Sequence, residues 1–297
     1  MEFRPRVWPG VVVGGGIVAL LAGLAVLLAR RMLEQPVSLV SFVVGLVVLG
    51  LLLGAALFLY WTAGCASLRY HLDRNRLAIR WGFSSYLVPL SAVVATLPGT
   101  QGGKRRAFRG VSWPGHHVGR ALVDDLGEVV FLSTHLWSGE LRYIVTSSLA
   151  YAISVPNPQR FLRELHRCQT LGPSEAVAPS AQRPAWLDLP LWHDRIVHGL
   201  LALGLVANAA LFAYLCYAFP SLPELLPLRF TAEGVVEQIG LRSYVLMLPA
   251  VSLAVLVVNA VLGAILYARE RIGTYLCLGA AVLVQGLVGV AIVRIAG

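Results

Sequence analysis

Residues 70–93 read YHLDRNRLAIRWGFSSYLVPLSAV. Apolar and polar residues alternate on both sides of the polar turn Asp73–Arg76, which is the pattern of strand, turn, strand. In LAIRW, Leu77, Ile79 and Trp81 share one face and Ala78 and Arg80 the other, because side chains alternate along a strand. The remainder, YLVPLSAVVATL, continues in extended fashion. This stretch predicts a sheet with one buried face.

The chain around it is of another kind. Of 297 residues, 57% are hydrophobic and 13% charged, and the mean hydropathy is +0.73. Soluble domains carry roughly a quarter charged residues, so the composition is that of a membrane protein. About 20 apolar residues cross a bilayer as a helix. Five stretches qualify: 7–29, 37–61, 196–219, 243–268 and 272–293, none containing Asp, Glu, Lys or Arg. Backbone groups in lipid must pair internally, so each is expected to be helical. The first, VWPGVVVGGGIVALLAGLAVLLA, is far longer than the apolar core of a cleaved signal and reads as a retained helix.

With five spans, the N-terminus, the segment 62–195 and the loop 269–271 share one side. Near the span ends that side carries nine Lys or Arg against five on the other. Positive charge favours the cytoplasm. The expectation is an inner-membrane, multi-pass protein with its N-terminus and the 62–195 segment cytoplasmic and its C-terminus outside. Gly10 and Gly14, like Gly50 and Gly54, are four apart, a spacing that admits close helix contact and a homo-oligomer through glycine-rich spans. Asn208, Asn259 and Gln285 are the deepest polar residues in the spans, and interhelical hydrogen bonding is their expected role. No ionisable group sits at mid-membrane, which argues against ion translocation.

Beyond residue 93 the runs RALVDD, EVVFLST, RYIVTSS and AYAISV are separated by turn residues. They complete an antiparallel β structure of about six or seven strands. A helix closes it in SVPNPQRFLRELHRC, with Asn157 as N-cap, Pro158 in the first turn, and Phe161, Leu162, Leu165 and Cys168 at helical spacing. The Pro-, Ala- and Ser-rich stretch 169–195 reads as a linker to the third span. The expected organisation is two transmembrane helices in 1–65, a β domain in 66–168, the linker 169–195, and three transmembrane helices in 196–297 with an outer loop at 220–242.

The motif YHLDRNRLAIRWGFSSYLVPLSAV resembles the opening of the bacterial pleckstrin-homology-like domains, where a Y-x-L-D-x-x-x-L-x-I-x-x-G hairpin leads into a further strand. YAISVPNPQRFLREL is similar to that family's closing run, with Val155 where the pattern has proline. AFRGVSWPGHHVGRALVDDLGEVVFLST resembles its glycine-spaced middle. The resemblance covers about residues 66–168. It implies a seven-stranded β fold capped by the C-terminal helix, and no enzyme. Pleckstrin-homology folds bind lipid headgroups or proteins, so those are the partners it implies.

A second, shorter resemblance lies in LPELLPLRFTAEGVVEQIG. It is similar to the extracytoplasmic loop of a membrane domain found in immunity proteins against a sporulation-delaying toxin. Leu222-Pro223, Pro227, Phe230, Gly234 and Pro249 fit that pattern. Arg229 replaces its histidine, and its acidic residue falls at Glu237 or is displaced. Arg229, Glu233 and Glu237 are therefore an expected outer-loop binding face, or else part of a loop packed on the helix ends.

The remaining candidate is TQGGKRRAFRG, residues 100–110. It holds the only lysine, Lys104, with Arg105, Arg106 and Arg109. A nucleotide cradle needs a strand-to-helix turn after the glycines, and none follows. Contact with anionic lipid headgroups, at about 1 kcal/mol per cation, and a solvated hairpin tip are the two readings left. His116 and His117 are adjacent in a strand and so face opposite ways, which makes a shared metal improbable. The four cysteines are scattered and form no CxxC. No Walker A, GxSxG, HExxH or dinucleotide pattern is present. The expectation is a non-enzymatic membrane protein, with neither cofactor nor metal and no nucleic-acid partner. It would bind protein or lipid headgroups through its β domain. The rival is a transporter, toxin-immunity or envelope-stress membrane module regulated by that domain.

Overall fold

The computed structural model describes residues 1–296 except 102, 137, 173, 176–179, 183–188 and 231–235. It begins with β1 (Glu2–Phe3), α1 (Trp8–Leu33) and α2 (Leu39–Ala66). Nine strands follow: β2 (Arg69–Leu72), β3 (Arg76–Trp81), β4 (Ser84–Pro89), β5 (Val93–Pro98), β6 (Arg105–Trp113), β7 (His116–Val123), β8 (Gly127–Ser133), β9 (Leu141–Thr146) and β10 (Ala150–Ser154). Then come α3 (Pro158–Leu171), β11 (Ser180–Gln182), α4 (Arg195–Ala218), β12 (Leu225–Phe230), β13 (Val236–Leu241), α5 (Met247–Tyr267) and α6 (Arg271–Ala296). Five helices, α1, α2, α4, α5 and α6, are long and apolar enough to cross a membrane. The chain is a multi-pass membrane protein. α1 and α2 run past the spans read from sequence, to Leu33 and Ala66. Arg30 and Arg31 thus close α1, where cations suit the helix dipole.

The chain divides into two compact units, residues 1–24 with 51–184, and residues 25–50 with 185–297. In the first, two sheets face each other. One has the order β1-β2-β3-β4-β11, and the other β5-β9-β10-β8-β7-β6. The alternation seen in the sequence is realised: Leu77 and Ile79 are fully buried, and Arg76 and Arg80 point outward. Tyr70, Leu72, Leu77, Ile79, Val88, Leu132, Ile144 and Ile153 form the core between the sheets. α3 closes it with Phe161 and Leu165. Asn157 caps α3 as expected, its side-chain oxygen accepting from Arg160 N at 3.1 Å.

The strands outnumber the six or seven expected for physical reasons. SSYLVPLSAVVATL is two strands, because a 3-10 turn at Leu90–Ala92 carries the chain from one sheet to the other. The glycine-spaced middle folds into the β6–β7 hairpin. One pairing departs from the antiparallel expectation. β10 inserts between β8 and β9 and runs parallel to β8. The run EVVFLS lacks alternation because β8 is buried on both faces. Val130 and Leu132 join the central core, while Val129 and Phe131 join a second one inside the curl of the larger sheet.

Two strands come from outside the segment read as the β domain. β1 pairs with β2, setting Phe3 against Phe161 at 5.3 Å. β11, within the stretch read as a linker, pairs with β4. The β1–β2 pairing needs residues 2 and 71 on one side of the membrane, and the two spans between them satisfy it.

Tyr70 ties the sheets together. Its buried hydroxyl donates to Leu132 O at 2.7 Å and accepts from Ser154 N at 3.1 Å. Removing that oxygen strips a partner from two buried backbone groups. Tyr70→Phe is expected to cost about 2 kcal/mol, read as a lowered midpoint of thermal unfolding in detergent. An unchanged midpoint would mean that the hydroxyl ties nothing.

In the second unit α4, α5 and α6 form a bundle. Asn208 Nδ2 donates to Pro249 O, Ser252 Oγ and Gln285 Oε1 at 2.9–3.0 Å. Gln285 Nε2 donates to Ser252 O at 2.8 Å. This network joins three spans, as the sequence suggested for Asn208 and Gln285. Asn259 differs: its amide turns back to Val255 O in its own helix. At one end of the bundle Asp194 caps α4 and accepts from the hydroxyls of Tyr275 (2.6 Å) and Tyr267 (2.8 Å). Those bonds, the Tyr275 one foremost, hold its carboxyl at about 2. At the other end Leu215, Phe219, Val245 and Ile292 pack together. In the stretch 220–242, β12 and β13 pair antiparallel.

Candidate functional site

The four cations of the 104–109 stretch do not form one patch. A bulge between Arg106 and Arg109, with Ala107 at φ +49°, breaks the alternation of β6. Arg105 turns inward. Its guanidinium donates to Leu136 O, lies over the Phe131 ring at 5.0 Å and bonds with Tyr143. Burial holds its pKa below the ordinary value. Arg106 is engaged by Asp124 in the neighbouring turn, Nε to Oδ1 at 2.8 Å. Lys104 and Arg109 remain exposed, without an acidic partner among the described residues. Cations that cluster in sequence are thus divided between structural and surface roles.

A different cationic surface is assembled from residues distant in sequence. On the outer face of the first sheet, Arg69 and His71 of β2 stand beside Arg76 and Arg80 of β3. With Glu2, Asp73, Ala78, Ser85 and Leu87 they line a hollow of about 390 Å³. A second hollow, about 360 Å³, is shared by Arg69 and Arg80 with Ser67, Phe83, Ser84 and Ser85. Sequence reading placed Arg80 on the outer face, but it could not pair Arg69 with Arg80 without the strand register.

This surface begins where α2 ends. Ser67 Oγ accepts from Gly82 N at 2.8 Å and donates to Gly64 O at 2.8 Å, pinning the β3–β4 turn to the last turn of α2. The Tyr60 ring of α2 meets Trp81 at 5.9 Å and stacks on Phe83 at 6.3 Å. Phe83 is 71% exposed, a large aromatic on a polar domain beside a membrane span.

The β6–β7 turn, which meets Trp81 through His116, is also fixed to the helices. Trp113 Nε1 donates to Gly10 O at 3.0 Å. His116 is fully buried between Trp81 and Trp113, with ring centroids at 6.0 and 4.4 Å. Both of its nitrogens lack a hydrogen-bond partner among the described residues. His117 faces the other way, as alternation demands, and its Nδ1 pairs with Ser112 Oγ at 2.7 Å. Burial lowers both imidazoles to about 4, so they are neutral near pH 7.

Of the outer-loop candidates, Arg229 lies on β12 opposite Gln238, Glu237 lies on β13, and Glu233 lies outside the described residues. In the second unit a groove of about 700 Å³ runs past Phe42, Leu46, Leu49, Leu205 and Phe212. Its walls hold no Asp, Glu, Lys, Arg or His among the described residues.

Comparison with known families agrees with the resemblance. Residues 68–169 match the model of the family described as bacterial PH domain. No curated protein and no solved structure matches the chain.

Proposed function

We propose, from the premise that residues 68–169 are a bacterial PH domain carried by a multi-pass membrane protein, that this domain is a non-enzymatic binding module working at the membrane face. The observation that carries the reading is its attachment. Strand β1 extends its first sheet, Tyr60 of α2 and Ser67 just after it hold its β3–β4 turn, and Gly10 of α1 accepts from Trp113. A domain held at three points to the ends of two spans presents its free surface to the headgroup layer and to whatever collects there. We place it in the cytoplasm of a cell with an inner membrane, N-terminus inside and C-terminus outside, because nine cations near the span ends stand on that side against five.

Site-specific photo-crosslinking of the full chain in its native membrane tests this reading. Val94 and Leu122 are exposed apolar residues of the domain, and Leu283 is an exposed residue of α6. A photoreactive side chain at Val94 or Leu122 is expected to yield a discrete adduct, to one protein or to lipid headgroups, distinct from the acyl-chain adducts at Leu283. Only solvent-quenched product at both domain positions would count against a binding role.

A further inference from the structure

The groove of the second unit is apolar except for one atom that the fold leaves unpaired. Its walls come from the end of α1, the first half of α2 and the middle of α4, where Phe42 and Phe212 stack at 6.3 Å. Asn208, near the middle of α4, lines it and is 3% exposed. The Nδ2 of that side chain turns away toward α5 and α6, where Pro249 O, Ser252 Oγ and Gln285 Oε1 hold it. The oxygen and nitrogen of an amide sit on opposite sides of its carbon, so pinning Nδ2 also fixes the direction of Oδ1. No described residue donates to Oδ1. The unpartnered nitrogens of His116 are sealed, whereas Oδ1 keeps a surface on the groove.

The walls select what can lie there. They offer no charged side chain among the described residues, so an ionised ligand would be buried without a partner. The hollow of about 700 Å³ falls within the roughly 300–1,000 Å³ of small-molecule sites. From Leu205 to Cys216 the α4 wall rises about 16 Å, close to half of a hydrocarbon core of about 30 Å. The groove is therefore as long as one leaflet is deep. A carbonyl oxygen at its inner end calls for a donor, and an acyl chain has none. A water there would meet one polar atom instead of the usual two to four, since Ser41 Oγ is committed to Ser38 O at 2.8 Å. An amide N–H would bring a carbonyl that these walls leave unpaired. A hydroxyl on an otherwise apolar body satisfies Oδ1 and asks for no second partner.

We propose that this groove binds an uncharged lipophilic alcohol taken from the bilayer, its apolar body lying along Phe42, Leu46 and Phe212 and its hydroxyl donating to Asn208 Oδ1. The Asn208–Ser252–Gln285 network, which ties the bundle together, at the same time holds that acceptor aimed at the ligand. The site belongs to the second unit alone and stands or falls independently of the PH domain's role.

The test uses the full chain in phosphatidylcholine nanodiscs and a photoreactive 1-dodecanol with a diazirine at its chain end. Peptide mass spectrometry is expected to find adducts at Phe42, Leu46 or Phe212. Unlabelled 1-dodecanol should displace the probe about fivefold better than its methyl ether, which has the same body and no donor. Gly45→Phe should abolish the groove adducts and keep the wild-type unfolding midpoint. A Cβ at Gly45 meets only Met32 Sδ, at 3.4 Å, and the Asn208 network is untouched. Asn208→Leu would remove the acceptor and break the network together, so the pair of competitors, not that variant, tests the hydroxyl. Equal displacement by alcohol and ether would overturn the hydroxyl contact and leave a groove for acyl chains only. Adducts as frequent at the exposed Leu283 of α6 as in the groove, or unchanged in Gly45→Phe, would overturn the site. No groove adduct, joined with a dimer in native mass spectrometry that Gly45→Phe dissociates, would replace the small molecule with a second copy of the chain.

Discussion

Gly115→Ala is expected to destabilise the first unit by about 3 kcal/mol and to free the β6–β7 hairpin from α1. Gly115 turns that hairpin at φ +86°, a left-handed conformation that costs a side-chain-bearing residue roughly 1–2 kcal/mol. Space adds a second penalty. A methyl group at Gly115 would sit 2.3 Å from Gly10 N and 2.9 Å from Pro9 C, backbone atoms that cannot swing away. Overpacking of this kind costs typically 1–3 kcal/mol. The two backbones touch because each residue lacks a Cβ: one added at Gly10 would lie 2.4 Å from Gly115 O. For a unit of this size the loss corresponds to a fall of roughly 6–12 °C in the unfolding midpoint. Trp113, released from Gly10 O, should shift its fluorescence toward that of a hydrated indole. Gly15→Ala is the control. It adds a methyl to the same helix where nothing lies within 4 Å, so it should be neutral or slightly stabilising. Equal midpoints for Gly115→Ala and Gly15→Ala would show that the hairpin does not bear on α1.

Sequence periodicity reached the parts of this fold that repeat and missed those that depend on pairing. Five apolar runs, the alternation of Leu77 and Ile79, and the Asn157 cap with Phe161 and Leu165 were all legible, because each is local. β1 is two residues long and β11 three, too short for any period, and both exist only because the edges of the first sheet accept them. The parallel neighbours β8 and β10 are joined through β9, a choice made by the whole sheet. The same holds for function. Lys104, Arg105, Arg106 and Arg109 drew attention by adjacency, yet a bulge and an acidic turn divert two of them into the domain's own structure. Arg80 read as an ordinary outward residue of a strand and Arg76 as part of a polar turn, and Arg69 drew no site reading. Only the register, and the absence of a carboxylate opposite Arg80, makes them a cationic face. The paired glycines of α1 read as a helix-contact motif; Gly14 packs on Thr62 of α2 and Gly10 on the β domain.

His116→Phe is expected to leave stability near pH 7.5 within about 1 kcal/mol of wild type and to remove part of the loss on acidification. His116 has no exposed surface, and its ring nitrogens find no partner among the described residues. A buried polar group in that state costs about 1–3 kcal/mol, a cost that an all-carbon ring lacks. The larger ring must still fit between Trp81 and Trp113, and tighter packing offsets part of the gain. The pH dependence does not share that ambiguity. Burial, with a smaller effect from His117, lowers His116 from 6.5 to about 4. Above about pH 6.5 neither the folded nor the unfolded chain protonates it, and its contribution is fully present. Between 6.5 and 4 the unfolded chain takes up a proton that the folded one refuses, so stability falls as pH falls. At 1.36 kcal/mol per pH unit the loss from this one imidazole reaches about 2 kcal/mol by pH 5. His117 is lowered to about 4 as well, chiefly by burial, with Arg105 and His135 adding to it. His116→Phe should therefore shrink the acid limb without abolishing it, and His116→Phe/His117→Phe should flatten it further. Unfolding midpoints in detergent at pH 7.5 and pH 5.0 measure both quantities. A single variant that loses as much stability between those pH values as wild type would mean that His116 is already protonated, or hydrated, where it lies between the tryptophans.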